Sequence, residues 1–167
     1  MTPGDEGRAV RSRFVTEILL PGGYGTEPSV DARFTRFALS TGASPIDRWG
    51  VFAAEAILRR RVVMEYTGEW ITFEQAEYRA LRQRNYLFEW DSEWVIDGMV
   101  GGSGAQFVNH SCDPNLRFRI WRRRVLLVSL RAIAAGEELT VNYDLSRESG
   151  PEVCRCGAAE CRGFMNP

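Results

Sequence analysis

The densest cluster of side chains able to do chemistry is Asn109-His110-Ser111-Cys112-Asp113-Pro114-Asn115, which holds the only histidine of the chain. A histidine beside a serine and a cysteine raises nucleophilic catalysis. Adjacent side chains on an extended chain point to opposite faces, so His110 is badly placed to activate Ser111. No second histidine is available to serve Cys112, and a nucleophile–base pair is disfavoured. Asn109-His110-Ser111 also spells a glycosylation sequon, and the whole stretch suits an Asx-rich turn ahead of Pro114. A single histidine excludes metal sites built from several imidazoles. The cysteines offer more. Cys154, Cys156 and Cys161 form a C-x-C-x4-C run, and Cys112 completes the total of 4 in the chain. Three thiols this close cannot all bridge one another, but they can surround one soft cation, and zinc takes four such ligands. One zinc ion held by Cys112, Cys154, Cys156 and Cys161 is expected.

Composition narrows the remaining chemistry. The chain has 167 residues, 44% hydrophobic and 26% charged, sufficient for one domain with a proper core. The 21 basic residues nearly balance 22 acidic ones, so no strong bulk field for nucleic acid or membrane is expected. All the basic residues are arginine. That excludes a P-loop lysine, a Schiff-base lysine and a lysine general base, and a GC-rich coding sequence accounts for it. No apolar run reaches the ~20 residues of a membrane helix. The polar start, Met1-Thr2-Pro3-Gly4-Asp5-Glu6, does not read as a signal peptide. An intracellular domain is expected, in which a metal is favoured over disulfides.

These residues need elements to position them. Residues 1–44 read as an N-terminal accessory segment, with turn signals at Pro21-Gly22-Gly23 and Gly25-Thr26-Glu27-Pro28 and a strand over Val15 to Leu20. The glycines there lack the strand–loop–helix setting of a dinucleotide fingerprint. Strands are predicted over Val51 to Ala53, Val62 to Tyr66, Tyr86 to Trp90, Trp94 to Ile96 and Leu139 to Tyr143, with a turn at Gly68. Thr72-Phe73-Glu74-Gln75 has the spacing of a capping box and opens a helix running to about Arg84. Gly98 to Gly104 is loop, and Leu116 to Trp121 with Val125 to Leu130 form a hairpin around Arg122-Arg123-Arg124. Many short strands and one clear helix give a mostly-β domain.

Taken in chain order, four motifs resemble the SET-domain protein-lysine N-methyltransferases with a post-SET zinc segment. They are Arg48-Trp49-Gly50-Val51-Phe52-Ala53, then Glu65-Tyr66-Thr67-Gly68-Glu69, then Asn109 to Asn115, then Glu138-Leu139-Thr140-Val141-Asn142-Tyr143, followed by C-x-C-x4-C. The resemblance covers roughly residues 45–167 and implies a SET domain over 45–145 and a post-SET zinc segment over 146–167. It implies a mostly-β, β-clip-like fold with one short helical insert and a knot-like threading of Asn109 to Cys112 beneath the loop holding Glu137 to Tyr143. The chain departs from the family at Arg48, where the first glycine of a G-x-G turn is usual, and at Ser103 and Gln106, where Asn and Arg are common. A cysteine-rich pre-SET cluster is lacking.

The same resemblance implies S-adenosylmethionine as cofactor. Arg48 and Trp49 would meet it through main chain, Tyr86 would lie beside it, Asn109 would bind its amino-acid end, His110 would contact it largely through backbone near the adenine, and Phe164 would cover the adenine. Tyr143 and Tyr66 match the two active-site tyrosines. Val141 and Phe118 match channel positions, and a phenylalanine at 118 implies di- or trimethylation. The implied partner is a lysine-containing protein or peptide such as a histone tail, for which Glu89, Asp91, Glu93 and Asp97 would form an acidic rim. Zinc would tie Cys112 to the tail, so chelation should loosen the tail and lower activity together. Two other readings remain: a SET-like zinc-containing module that binds a peptide without catalysis, and a nucleic-acid-associated protein using Arg59-Arg60-Arg61 and Arg117, Arg119 and Arg122 to Arg124 around Trp121. A lysine methyltransferase without lysine also cannot methylate its own side chains.

Overall fold

The computed structural model describes residues 28–81, 86–145 and 150–166. The described strands are β1 (Leu39–Ala43), β2 (Trp49–Ala53), β3 (Val62–Tyr66), β4 (Glu69–Thr72), β5 (Leu87–Glu89), β6 (Trp94–Asp97), β7 (Asn109–His110), β8 (Leu116–Trp121), β9 (Arg124–Ser129) and β10 (Thr140–Val141). One α-helix, α1 (Phe73–Ala80), lies between β4 and β5. The strands form a β1–β2 hairpin, a five-stranded sheet in the order β3-β9-β8-β10-β7, and a three-stranded sheet in the order β4-β6-β5.

Hydrophobic patterning explains the sheet that carries the site. Leu116 and Phe118 of β8 turn to the core while Arg117 and Arg119 face outward, the alternation of a strand with one wet face. β9 is buried along its length after Arg124, and Val125 and Leu127 are wholly sealed with Val51, Val63, Met64 and Leu139. The β8–β9 register ends at Trp121↔Arg124, leaving a two-residue turn of Arg122 and Arg123 with φ of 48° and 58°. Both central residues are left-handed, as this hairpin twist demands, although asparagine and glycine usually fill such positions. Aromatic neighbours hold the two side chains: Arg122 lies 4.8 Å from the Trp121 ring centroid and Arg123 4.8 Å from that of Trp70.

The threading expected near the site takes a definite form. β10 runs parallel to both β7 and β8 and is wedged between them, so the chain from residue 110 to residue 116 crosses from one side of β10 to the other. Asn115, 1% exposed, locks the crossing. Its Nδ2 donates to Glu138 O at 2.7 Å and Glu137 Oε1 at 3.0 Å, and its Oδ1 accepts from Thr140 N at 2.8 Å.

One expectation changes, the end of the helix. Helix α1 has the capping box, with Thr72 Oγ1 accepting from Gln75 N and Gln75 Oε1 from Thr72 N. It ends at Ala80 with Leu81 as cap, and Arg84 lies outside the described residues. Only Ala76 of the helix is buried, so packing gives it little reason to lengthen. The border expected between residues 44 and 45 falls in the turn of the β1–β2 hairpin. Val30, Phe37 and Leu39 pack on the main core, so the described part of the accessory segment belongs to the same folded body. The strand expected over Val15 to Leu20 lies outside the described residues.

Candidate active site and metal centre

Asn109 begins β7 and is 7% exposed. Its Nδ2 donates to Trp49 O at 2.9 Å, Glu138 Oε1 at 2.8 Å and Ser44 Oγ at 3.1 Å. Ser44 Oγ also donates to Glu138 Oε1 at 2.8 Å. The amide nitrogen is therefore satisfied within the protein, and what the Asn109 side chain can still offer a ligand is its Oδ1 acceptor. A Cβ at Gly50 would collide with the Glu138 carboxylate, which explains the glycine. Arg48 has φ of 40°, a left-handed conformation that glycine adopts without cost. Its departure from the family pattern thus falls where the backbone is strained for any other residue.

Tyr66 closes β3 and Tyr143 follows β10 by two residues, yet the two are satisfied in the same way. Tyr66 OH donates to Tyr86 O at 2.6 Å, and Tyr143 OH donates to Val108 O at 3.0 Å. Burial, then the charge of Asp97 and the neighbouring Tyr143, pushes the Tyr66 phenol far above its ordinary range. Burial, then Tyr86 and Asp47, does the same for Tyr143. Tyr143 keeps 37% of its surface open, yet its hydroxyl is tied to Val108. Both phenols stay protonated and neither is a general base at neutral pH. A Cβ at Gly98 would lie 2.7 Å from the Tyr66 hydroxyl, so the glycine makes room for that hydroxyl. Aromatic rings surround the pair: Phe88 stands 5.6 Å from Tyr66 and 5.0 Å from Phe118 between ring centroids, and Tyr86 5.5 Å from Phe107. Val141 is 1% exposed in the core. It pairs with His110 and Leu116, whereas Phe118 is half-buried among the rings.

Beside Tyr143 lies a cleft of about 210 Å³ lined by Asp47, Asn109, His110, Val153, Arg155 and Met165, among others. Phe164, expected to cover a ligand there, is 46% exposed and bridged to Val153 through backbone, and its neighbour Met165 faces the cleft instead. Consecutive residues of an extended tail face opposite sides, so a register that puts Met165 inward turns Phe164 outward. Spacing alone does not reveal this register, nor does it disclose Asp47, Val153 and Arg155.

The four cysteine sulfurs lie within 4.8 Å of one another, and Cys112 Sγ is 3.6 Å from Cys154 Sγ. A tetrahedron with metal–sulfur bonds of ~2.3 Å has edges of roughly 3.8 Å, so this donor set fits zinc. Backbone N–H groups point at the sulfurs as they do at thiolates: Arg162 N to Cys112 at 3.4 Å, Gly163 N to Cys161 at 3.4 Å and Cys112 N to Cys156 at 3.5 Å. Burial lifts the Cys154 thiol to about 12. At Cys156 burial is outweighed by the N–H groups of Cys112 and Ala158, which draw the thiol down to about 6. Burial, then the positive Arg162, holds the His110 pKa below its ordinary value.

The acidic rim is partly corrected. Glu89, Asp91 and Glu93 are exposed, but Asp97 is 0% exposed and accepts from Arg79 Nη1 at 2.7 Å and Met99 N at 3.0 Å. Arg79 also pairs with Glu69 at 2.7 Å, so Asp97 anchors α1 to the three-stranded sheet.

Comparison with known proteins agrees with this geometry. The family model described as "SET domain" matches residues 48–144. The chain belongs to the SET-domain family. This SET domain is 41% identical over 136 residues to the "Histone-lysine N-methyltransferase, H3 lysine-4 specific" of Saccharomyces cerevisiae, which covers 74% of this chain and 13% of that protein. The Candida albicans protein of the same description is 35% identical over 95% of this chain and 17% of its own length. The Bos taurus "Histone-lysine N-methyltransferase SUV39H2" is 40% identical over 71% of this chain and 36% of its own. The chain thus spans a small part of the relatives it matches. SET methyltransferases use S-adenosylmethionine. Among the described residues, no helix is long and apolar enough to cross a membrane.

Proposed function

We propose that this SET domain is an S-adenosylmethionine-dependent protein-lysine N-methyltransferase, stabilised by one four-cysteine zinc ion and acting on a histone tail. The observation that carries the reading is the pair of phenols, Tyr66 and Tyr143, each with its O–H already given to a main-chain carbonyl. Their oxygens retain lone pairs that can accept N–H from an incoming amine, which fixes the direction of the nitrogen lone pair. S-adenosylmethionine would supply the methyl group of its sulfonium to a neutral lysine amine, the C–N bond forming as the C–S bond breaks and S-adenosylhomocysteine leaving.

A free lysine has pKa ~10.4 and is almost wholly charged at neutral pH. The rings of Tyr66, Phe88 and Phe118 disfavour the ammonium and so release its proton to water before transfer. Neither tyrosine takes that proton, because burial keeps both phenols protonated. The cleft suits the cofactor: Asn109 Oδ1 and Asp47 for its ammonium, Arg155 for its carboxylate, and Val153 and Met165 for the adenine. Exposed Glu89, Asp91 and Glu93 suit a basic peptide. The names of the relatives point to histone, and to lysine 4 of H3 among the fungal ones. Phe118 has no hydroxyl to anchor a water in the place of an added methyl, which favours di- or trimethylation.

The test is labelled S-adenosylmethionine with core histones and an H3 tail peptide, beside Tyr143→Phe. Label on a histone lysine is expected, falling by roughly 10²–10³-fold in the variant. The enzyme has no lysine of its own, so lysine automethylation contributes no background. Cofactor binding without label on any histone would overturn the substrate. Loss of cofactor binding as well would overturn the enzyme in favour of a peptide-binding module.

A further inference from the structure

The five-stranded sheet has a second face. Along β9, Val125 and Leu127 belong to the main core, whereas Leu126 is 4% exposed and packs outside it. Leu126 pairs with Arg119 of β8, so the two side chains share the face turned away from the core. A groove of about 200 Å³ lies on this face, lined by Phe34, Arg36, Val62, Arg119, Trp121 and Leu126, among others. None of its described lining residues also lines the cleft beside Tyr143.

The charges of the groove do not cancel. Arg124 is taken by Glu65 at 2.5 Å and Arg33 by Asp31 at 2.6 Å. Arg36 and Arg119 are exposed and make no ion pair among the described residues. The whole chain has a net charge of −1, so the excess is local. Both cations stand on fixed backbone: Arg36 N donates to Val63 O at 2.9 Å, and Arg119 sits in the β8–β9 ladder.

We infer that this groove is a docking surface for an acidic, extended segment of a partner protein, whose carboxylates pair with Arg36 and Arg119 while an apolar side chain lies on Leu126 and Trp121. An extended chain in which acidic and apolar residues alternate presents both kinds of side chain at the required spacing. Guanidinium and carboxylate form two parallel hydrogen bonds, the strong class of charged contact. Nucleic acid fits less well. Single strands are held by stacking bases on open aromatic faces. Here Arg122 lies over the Trp121 ring at 4.8 Å and Arg33 over the Phe34 ring at 5.6 Å, so each ring already carries a cation on one face. The arginines around Trp121 thus serve a protein contact, on a face of the sheet separate from the site.

The test titrates the full chain against a short fluorescent peptide in which glutamate alternates with valine, read by anisotropy. Saturable binding is expected, weakening as salt rises. Glutamine in place of glutamate should weaken it by about tenfold or more. Arg36→Glu and Arg119→Glu should each do the same, since an attraction becomes a repulsion. Arg119→Gln removes the charge without reversing it, and should weaken binding by about threefold with the parent's thermal midpoint. Arg60→Glu makes the same charge change at an exposed arginine outside the groove, and should leave binding within about twofold of the parent. Absence of saturable binding, equal binding of the glutamine peptide, equal loss in Arg60→Glu, or tighter binding of a single-stranded oligothymidine would each overturn the inference. None of these outcomes depends on whether the chain transfers methyl groups.

Discussion

In the five-stranded sheet Val63, Leu116, Val125 and Leu127 are all 0% exposed, whereas along residues 150–166 only Cys154 and Asn166 are buried. The sheet is held by burial and by ladder hydrogen bonds. The described tail has a few backbone bonds, among them Cys154 N to Gly163 O at 2.9 Å and Met165 N to Glu152 O at 2.8 Å, and three sulfurs that share a centre with Cys112. Yet both regions line the cleft beside Tyr143. A metal can substitute for a hydrophobic core where the chain is too short to build one. With the proposed zinc in place, the site would depend on two forces that can be removed separately.

The largest expected effect comes from removing the metal force. Chelation, or Cys156→Ser, should abolish methyl transfer, at least 100-fold, and expose tail amides to hydrogen exchange while the amides of β8 and β9 stay protected. Loss of protection in both regions together would break the contrast. Next comes the core. Leu127→Ala should cost about 2–5 kcal/mol in denaturant unfolding, with zinc affinity of the folded protein unchanged. Asn115→Ala strikes the crossing itself and leaves buried partners at Thr140 and Glu138 unpaired. It should cost about 1–3 kcal/mol and lower kcat more than Leu127→Ala does, since β10 leads directly into Tyr143. The smallest effect sharpens the comparison from the stable side. Arg48→Gly should raise stability by about 1 kcal/mol by relieving a left-handed residue, with no change in metal release.

Local chemistry was the most legible part of the sequence. The capping box of Thr72 and Gln75 is read within one turn, and the Arg122-Arg123 hairpin within one strand pair. The four cysteines were legible for a different reason, because zinc needs four ligands and the chain has 4 thiols. The wedge of β10 between β7 and β8 was not readable from pattern, because a two-residue strand has no periodicity to detect, and only the family resemblance pointed to it. Asp97 looked like a rim charge because its partner Arg79 lies 18 positions earlier on another element. Phe164 and Met165 could not be told apart without a register, since either apolar side chain could face inward. The start of helix α1 is legible in the sequence and its end is not, because caps are local while helix length depends on what the helix packs against.

The wedge at β10 also governs time. β7 and β8 flank a slot that stays open until residues 140 and 141 enter it, so neither can complete its pairing earlier in synthesis or refolding. Contacts that join distant stretches of chain slow folding, because loop closure must precede any gain from pairing. A nascent chain that has emerged only as far as β9 would hold a finished hairpin and an empty groove, and no place yet for Tyr143. The site around Tyr143 therefore assembles late, set by when the chain threads rather than by when its strands first form.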